Sequence, residues 1–443
     1  MVHRDYQLRS RRIAAIGPSL PPRPPPSYTP AQLAKNQILA GMPNTFPIRR
    51  TRRHNRSRGL NRSGHECYRL AALQCLLHLP RALSWFREHN VVLTDTDANT
   101  RVKNPCHLNP RNVVAGVIGG TKQNCMACNM KGLIRRYWGD YQMNGAEPQP
   151  LDSSDARLRL IYDYSTADDR FAPDGQGVDP QCDAEEWMTY FLDRCQEACI
   201  TSEAPDWRPG YRALFQFEFE EERFCSVCDT PIPRVSSDPT SSFKQPSIGF
   251  INCPIDRASP GTVADAINAQ LVEHPTGGAG IRRDCPKCGP DQLLTRRFRV
   301  EAAPEYMLVK FNPAYDDTPP PKPGSKVPPP PVMRKITNKA ELPSIDEKLD
   351  LTHCQVNSST KLEYKLVAVL PHSGEVGHGH WIATVRNHPR WYNINDGSVN
   401  QVPLDFALSN PEVVPTDWNG TEHEKAKNDT EFQVVVLMYA RVH

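Results

Sequence analysis

The sequence predicts an α+β protein, and three observations predict it. Apolar residues recur at spacings of three and four after Gly59 and again after Asp183, which is the period of helices. Beyond residue 300 the apolar runs become β-branched and aromatic, which is the composition of strands. Between these halves lie two C-x-x-C pairs separated by 56 residues, the pattern of a metal-clamped insertion. With 443 residues, 38% hydrophobic and 23% charged, the chain can bury a core, as one large domain or two to three smaller ones. Proline, at 43 residues, is nearly twice its usual share of ~5%, so part of the chain is not expected to pack. No window approaches the ~20 apolar residues of a membrane helix, and the N-terminus alternates arginine with proline, so a soluble, intracellular monomer without membrane contact is expected.

Charge divides the chain unevenly. Residues 1–58 hold twelve Arg or Lys against the single acid Asp5, a net +11, which leaves −8 for the rest of a chain whose total is +3. Residues 1–58 show no sustained apolar period and are read as a disordered basic tail. Its run Pro21–Pro26, interrupted by Arg23, suits a partner that reads polyproline II, while Arg49–Arg53 suits nuclear import or salt-sensitive contact with nucleic acid. A solvated tail without a partner is the competing reading.

The ordered region is expected from Gly59. Leu70, Leu73, Leu76 and Leu77 fall on one face of a helix over Tyr68–Leu79 that Pro80 ends, with Cys67 just before it. Asp183 and Glu186 imitate a capping box ahead of a stripe formed by Met188, Phe191, Leu192, Cys195 and Cys199. Tyr306–Phe311, Tyr364–Leu370, Trp381–Val385 and Phe432–Tyr439 read as strands, and Pro319–Pro331, with eight prolines, as an exposed loop between two of them. No internal repeat of 20 to 50 residues is evident.

Fourteen cysteines without a secretory segment are read as reduced thiols, metal ligands or a nucleophile. Cys225-x-x-Cys228 and Cys285-x-x-Cys288 each present two thiolates from one tight turn, and together they make a tetrahedral four-sulfur set for which zinc is the default ion. With no open coordination position such a site is structural, clamping the ends of two hairpins. Unligated thiol pairs are the alternative. Cys125-x-x-Cys128, with Cys106 and His107 upstream, forms a weaker candidate for a second site.

A thiol at a helix start is favoured as thiolate by the unpaired N–H groups there, and Cys67 has that position. A thiol protease also needs an imidazole and a polar group to orient it. His380 opens a strand, and Asn395-Asp396 follows fifteen residues later across one short strand, so adjacent strands would bring Asn395 to the ring.

Gly59-Leu60-Asn61-Arg62-Ser63-Gly64-His65-Glu66-Cys67-Tyr68, followed by Leu73-Gln74, resembles the cysteine box of the ubiquitin-specific proteases, G-L-x-N-x-G-N-T-C-Y. Gln181-Cys182-Asp183-Ala184 looks like that family's Q-Q-D-A segment, and the C-x-x-C pairs fall where its zinc-clamped fingers do. Gly379-His380-Trp381 with Trp391 and Asn395-Asp396 is similar to its histidine box, and Leu437–Arg441 to its closing strand. The likeness spans Gly59 to Arg441. It implies a papain-like α+β cysteine protease with a mainly helical thumb (59–210), fingers (211–300) and a β-rich palm (301–443). It further implies hydrolysis of the (iso)peptide bond after the C-terminal glycine of ubiquitin. Cys67 would be the nucleophile, His380 the base and acid, and Asn395, with Asp396 as support, the orienting group. A body of net −8 would suit ubiquitin's basic tail through carboxylates in the cleft.

Three departures bear on activity. The family's oxyanion-stabilising asparagine is Arg62 here, His65-Glu66 replaces Asn-Thr, and Leu70 replaces an asparagine. Arg62 can donate to an oxyanion, whereas Glu66 would oppose a neighbouring thiolate; losing one oxyanion donor costs ~100- to 1,000-fold in rate. The alternatives are therefore a weak or inactive ubiquitin-binding scaffold of the same fold, or a zinc-dependent nucleic-acid binder using the basic tail.

Overall fold

The computed structural model describes residues 27–46, 57–62, 64–90, 103–106, 125–139, 149–173, 182–232, 246–273, 282–319, 329–336, 338–375, 378–409 and 433–443. The proline run at 21–26, the arginine cluster at 49–53, His107, Gln181 and the proline-loop positions 320–328 lie outside them.

The first layer is helical: α1 (Pro30–Ala40), α2 (Cys67–Leu77), α3 (Pro80–Arg87), α4 (Met126–Gly139), α5 (Ala156–Ser165), α6 (Ala184–Gln196) and α7 (Trp207–Phe215). Every residue of α2 is buried, not one face of it. A helix apolar all round lies inside a larger core, and α2 is gripped by α6 on one side and by the sheet on the other. Pro80 does not end α2 but occupies the first position of α3, where its missing N–H costs nothing. Asp183 caps α6 as expected, although its carboxylate accepts from the Glu185 amide (2.8 Å) instead of completing a box with Glu186.

The reading of residues 1–58 as disordered throughout is corrected at α1. Thr29 accepts from the Gln32 amide and Pro30 opens the helix. The docked face joins buried Leu39 to two polar residues: Gln32 accepts from the Ala303 amide (2.7 Å), and Lys35 donates to Gln216 O and pairs with Glu218 (3.3 Å). The segment lacks an apolar period because two of its anchors are polar, Gln32 on the Ala303 amide and Lys35 on the Gln216 carbonyl. Burial lowers the Lys35 ammonium to about 8.

β1 (Gln216–Cys225), β2 (Pro246–Ile248), β4 (Val272–Glu273), β5 (Arg282–Cys285) and β6 (Gly289–Ala302) form a five-stranded sheet around the long β1–β6 pair. β3 (Phe250–Cys253) falls in the same stretch of sequence but leaves that sheet and runs parallel to β7 (Tyr306–Phe311), followed by α8 (Val263–Gln270). After β7 come the paired β8 (Ala314–Asp316) and β9 (Met333–Lys335), which flank the proline-rich segment, then β10 (Lys348–Asp350) and β11 (Glu363–Glu375). The chain ends with β12 (His378–Trp381), β13 (Ala383–Asn387), β14 (Arg390–Asn395), β15 (Ser398–Val402), α9 (Leu404–Leu408) and β16 (Gln433–Arg441).

The second sheet is nine-stranded, in the order β15-β14-β13-β11-β16-β7-β3, with β10 and β12 also on β11. Its strands alternate between two cores: Ala368 and Leu370 face the helices, whereas Leu366 and Val369 face the cluster under α8 and α9. Among the described residues the tip of the fingers buries a small apolar cluster, Cys225, Ile232, Cys285 and Leu294, too little to hold two hairpins together. No helix among the described residues is long and apolar enough to cross a membrane.

Docking of α1 through Leu39 implies that Leu39→Ala destabilises the protein by about 2–5 kcal/mol, read from urea unfolding. A change below about 0.5 kcal/mol would mean that α1 is not held against the body in solution.

Candidate active site

Cys67 is the first residue of α2, with Glu66 before it supplying no side-chain cap. The residue is buried, with 4% of its surface exposed. Burial pushes its thiol up, a contact from the Trp381 amide and the charge of Arg62 pull it down, and Asp396 pushes it up. Asp396, brought in by the fold, is thus a carboxylate that acts against the thiolate.

The Trp381 amide places Cys67 beside the residue that follows His380. β12 pairs with β11, setting His380 across from Ser373 and Gly379 across from Gly374. A side chain at Gly379 would stand 1.9 Å from Ser373 O and 2.6 Å from His372 Nε2, so only glycine lets β12 approach β11 this closely. The β13–β14 register, Ala383 opposite Ile394, continues past Ile382 to bring Asn395 to the imidazole. His380 Nε2 is 2.7 Å from Asn395 Oδ1. The expectation that Asn395 reaches His380 is met by that bond.

Asp396 occupies the turn between β14 and β15 with φ of 48°, and its carbonyl accepts from the Leu60 amide at 2.8 Å. That bond ties the cysteine-box segment to the histidine-box turn. Asp396 Oδ2 lies 4.0 Å from His380 Nε2 and 3.3 Å from Arg62 Nε. Burial raises the Asp396 carboxyl, while His380 and Arg62 oppose the rise. The pairing of Arg62 with Asp396 had no signal in the sequence, because 334 positions separate them.

The cleft beside Cys67 has a volume of about 640 Å³ and is lined by residues including Cys182, Lys310, Lys335, His372 and Trp381. The expectation of a carboxylate-lined cleft is corrected. Its charged lining residues are Asp183, Lys310 and Lys335, and Asp183 is already paired with Lys310 at 3.1 Å. Burial lowers the Lys335 ammonium to about 8.

Two four-residue clusters have ligand geometry. Cys225, Cys228, Cys285 and Cys288 converge at the fingertip, their sulfurs within 4.8 Å of one another, from the turn after β1 and the β5–β6 turn. The second cluster joins Cys106, Cys125 and Cys128 to His89, within the same limit. Sequence reasoning missed His89, whose only signal was its place two residues after α3; the fold, not spacing, brings it to the sulfurs. His89 Nε2 faces Cys125 Sγ at 3.4 Å and Nδ1 faces Cys199 Sγ at 3.3 Å, so both ring nitrogens are placed. Contacts from Cys125 and Cys128 push the Cys106 thiol well down, and the same contacts push the Cys125 and Cys128 thiols up, as three sulfurs sharing one another's protons do.

Solved structures share the architecture. The Ubp8/Sgf11/Sus1/Sgf73 DUB module of SAGA bound to ubiquitin aldehyde is similar over 90% of this chain and 72% of that one, at 14% identity and a TM-score of 0.59. The same module bound to monoubiquitin matches with a TM-score of 0.58 at 15% identity, over the same shares of the two chains. These likenesses show the papain-like α+β fold with thumb, palm and fingers. Ubiquitin carboxyl-terminal hydrolase Usp2 of Drosophila melanogaster is 20% identical over 370 residues, 77% of this chain. The chain spans about a third (32%) of the length of that curated relative. The model of the family described as ubiquitin carboxyl-terminal hydrolase matches residues 58–439, from the segment before the cysteine box to the last strand, and the chain belongs to that family.

Proposed function

We propose that the protein is a cysteine-type deubiquitinase that hydrolyses the (iso)peptide bond after the C-terminal glycine of ubiquitin. The observation that carries this reading is the 2.7 Å bond between His380 and Asn395, made on the strand whose next amide contacts the Cys67 thiol. The structural neighbours support the substrate, since they hold ubiquitin aldehyde and monoubiquitin. Fourteen free cysteines fit a reducing compartment, the nucleus or cytoplasm.

In this reading Nε2–H of His380 donates to Asn395 Oδ1, which leaves the Nδ1 lone pair to take the Cys67 proton. The thiolate attacks the glycine carbonyl carbon, and the oxygen becomes an oxyanion. Imidazolium then protonates the departing amine as the C–N bond breaks, leaving a thioester. His380 next takes a proton from water, whose oxygen attacks the thioester, releasing a carboxylate and the thiol. Asp396 steadies the imidazolium, and Arg62 supplies positive charge beside the thiolate and the oxyanion.

Zinc fits both clusters by its preference for tetrahedral sulfur and imidazole. Cys225, Cys228, Cys285 and Cys288 would hold one ion, and His89, Cys106, Cys125 and Cys128 a second. Both ligand sets are complete, so each ion would be structural. The fingertip's small core supports this role, because an ion there supplies the cohesion that apolar burial lacks.

A catalytically weak ubiquitin-binding scaffold is the second reading. It is favoured by the buried Cys67, whose thiol is raised, and by Arg62 standing paired with Asp396.

Three outcomes test these assignments. A ubiquitin probe with a C-terminal electrophile labels the wild type and not Cys67→Ala, while His380→Ala abolishes turnover of a ubiquitin-amide reporter; full labelling of Cys67→Ala rejects the hydrolase. Because Arg62 favours the thiolate, Arg62→Gln shifts the acid limb of the pH profile of kcat/KM to higher pH, so activity at a fixed pH on that limb falls; an unmoved limb removes Arg62 from the site. Elemental analysis finds two zinc ions per chain, one fewer in Cys285→Ser and one fewer in His89→Ala, each with a lower Tm; a single ion in the wild type rejects the second site.

A further inference from the structure

Lys335 is a feature of the cleft that the proposed reaction does not use. It ends β9, lines the cleft that holds Cys67, and is half-buried. Its ammonium donates to His372 Nδ1 at 2.8 Å and to His372 O at 3.0 Å, both uncharged acceptors. No carboxylate among the described residues pairs with it. The other cleft lysine differs, for Lys310 is held by Asp183 at 3.1 Å and by Glu185 at 2.8 Å. An ammonium partly withdrawn from water and bonded to neutral groups attracts a carboxylate and repels a second cation brought beside it. A substrate segment filling the cleft displaces more water and strengthens both effects.

We propose that Lys335 is a specificity-determining residue that selects for an acidic or uncharged residue, and against a basic one, in the substrate tail occupying the cleft. The inference rests on the reading that the cleft takes the C-terminal tail of ubiquitin or a related modifier. It sharpens that reading, because the preferred modifier then carries a tail less basic than ubiquitin's. The neighbouring Arg334 provides an internal control. It is exposed on the same strand and paired with Asp317 at 2.7 Å, outside the cleft lining.

The test uses the full chain and three ubiquitin-amide reporters, one with the native basic tail, one with its basic residues replaced by glutamine and one by glutamate. The quantity read is the ratio of kcat/KM for the glutamate tail to that for the native tail. This ratio falls at least about tenfold from wild type to Lys335→Glu, takes an intermediate value in Lys335→Gln, and is preserved in Lys335→Arg and Arg334→Gln. A purely structural role for Lys335, holding His372, lowers all three rates together and leaves the ratio within about twofold of wild type, which overturns the proposal. Thermal unfolding of each variant separates loss of fold from loss of selectivity, and the charge-preserving Lys335→Arg keeps the comparison decisive if Lys335→Glu unfolds. Should the wild type turn over none of the reporters, the hydrolase reading fails by itself. The same ratio is then read from the dissociation constants of the three ubiquitins, and its independence of Lys335 again overturns the proposal.

Discussion

Burial of α2 on all sides is the constraint from which the rest follows. A helix enclosed by α6 on one side and by β11 to β14 on the other cannot tilt without opening the helical core on both of its faces. Its first residue is therefore held at a fixed point against β12, and the cost is paid in solvation, since Cys67 loses the water that would favour its ionised form. The compensations come from both sides of the site. The Trp381 amide and Arg62 favour the thiolate, and Asn395 holds the His380 imidazole. Each comes from a different part of the chain, and the Leu60–Asp396 backbone bond joins the two segments that carry them.

The two thiol clusters solve a different problem. β1 and β6 extend beyond either main core, so their far end has too few apolar contacts to stay closed. An ion held by the four sulfurs at the tip would substitute a point of coordination for a volume of packed side chains. The second cluster sits in the opposite situation, inside the helical core, where it joins the end of α3 to the start of α4 and, through Cys199, to the segment after α6. There an ion would fix the relative placement of helices that already pack, which bears on precision more than on cohesion.

How much of this could be read from the sequence depended on the range of the interaction that specifies it. The meeting of His380 with Asn395 was legible because both lie in short local runs one strand apart, and Tyr306–Phe311 was legible because a strand buried on both faces reads as a near-continuous apolar run. The partnership of Arg62 with Asp396 was not, nor was His89 as a ligand, because both depend on segments meeting that no local period records. α1 escaped notice for another reason. Its anchors Gln32 and Lys35 are polar, and polarity reads as solvent exposure unless the acceptors are known. The cleft's charge was misjudged because a net count over the whole body says nothing about which residues face inward.

The β8–β9 hairpin is sealed at its base: the Asp317 amide donates to Val332 O at 2.8 Å, and the Val332 amide to Thr318 Oγ1, also at 2.8 Å. The clasp closes one end of the β8–β9 pair, whose other end places Ala314 opposite Lys335 in the wall of the cleft. Only three residue pairs separate that clasp from the cleft wall, so strain applied at Asp317 or Val332 is passed along a short ladder to the ammonium of Lys335.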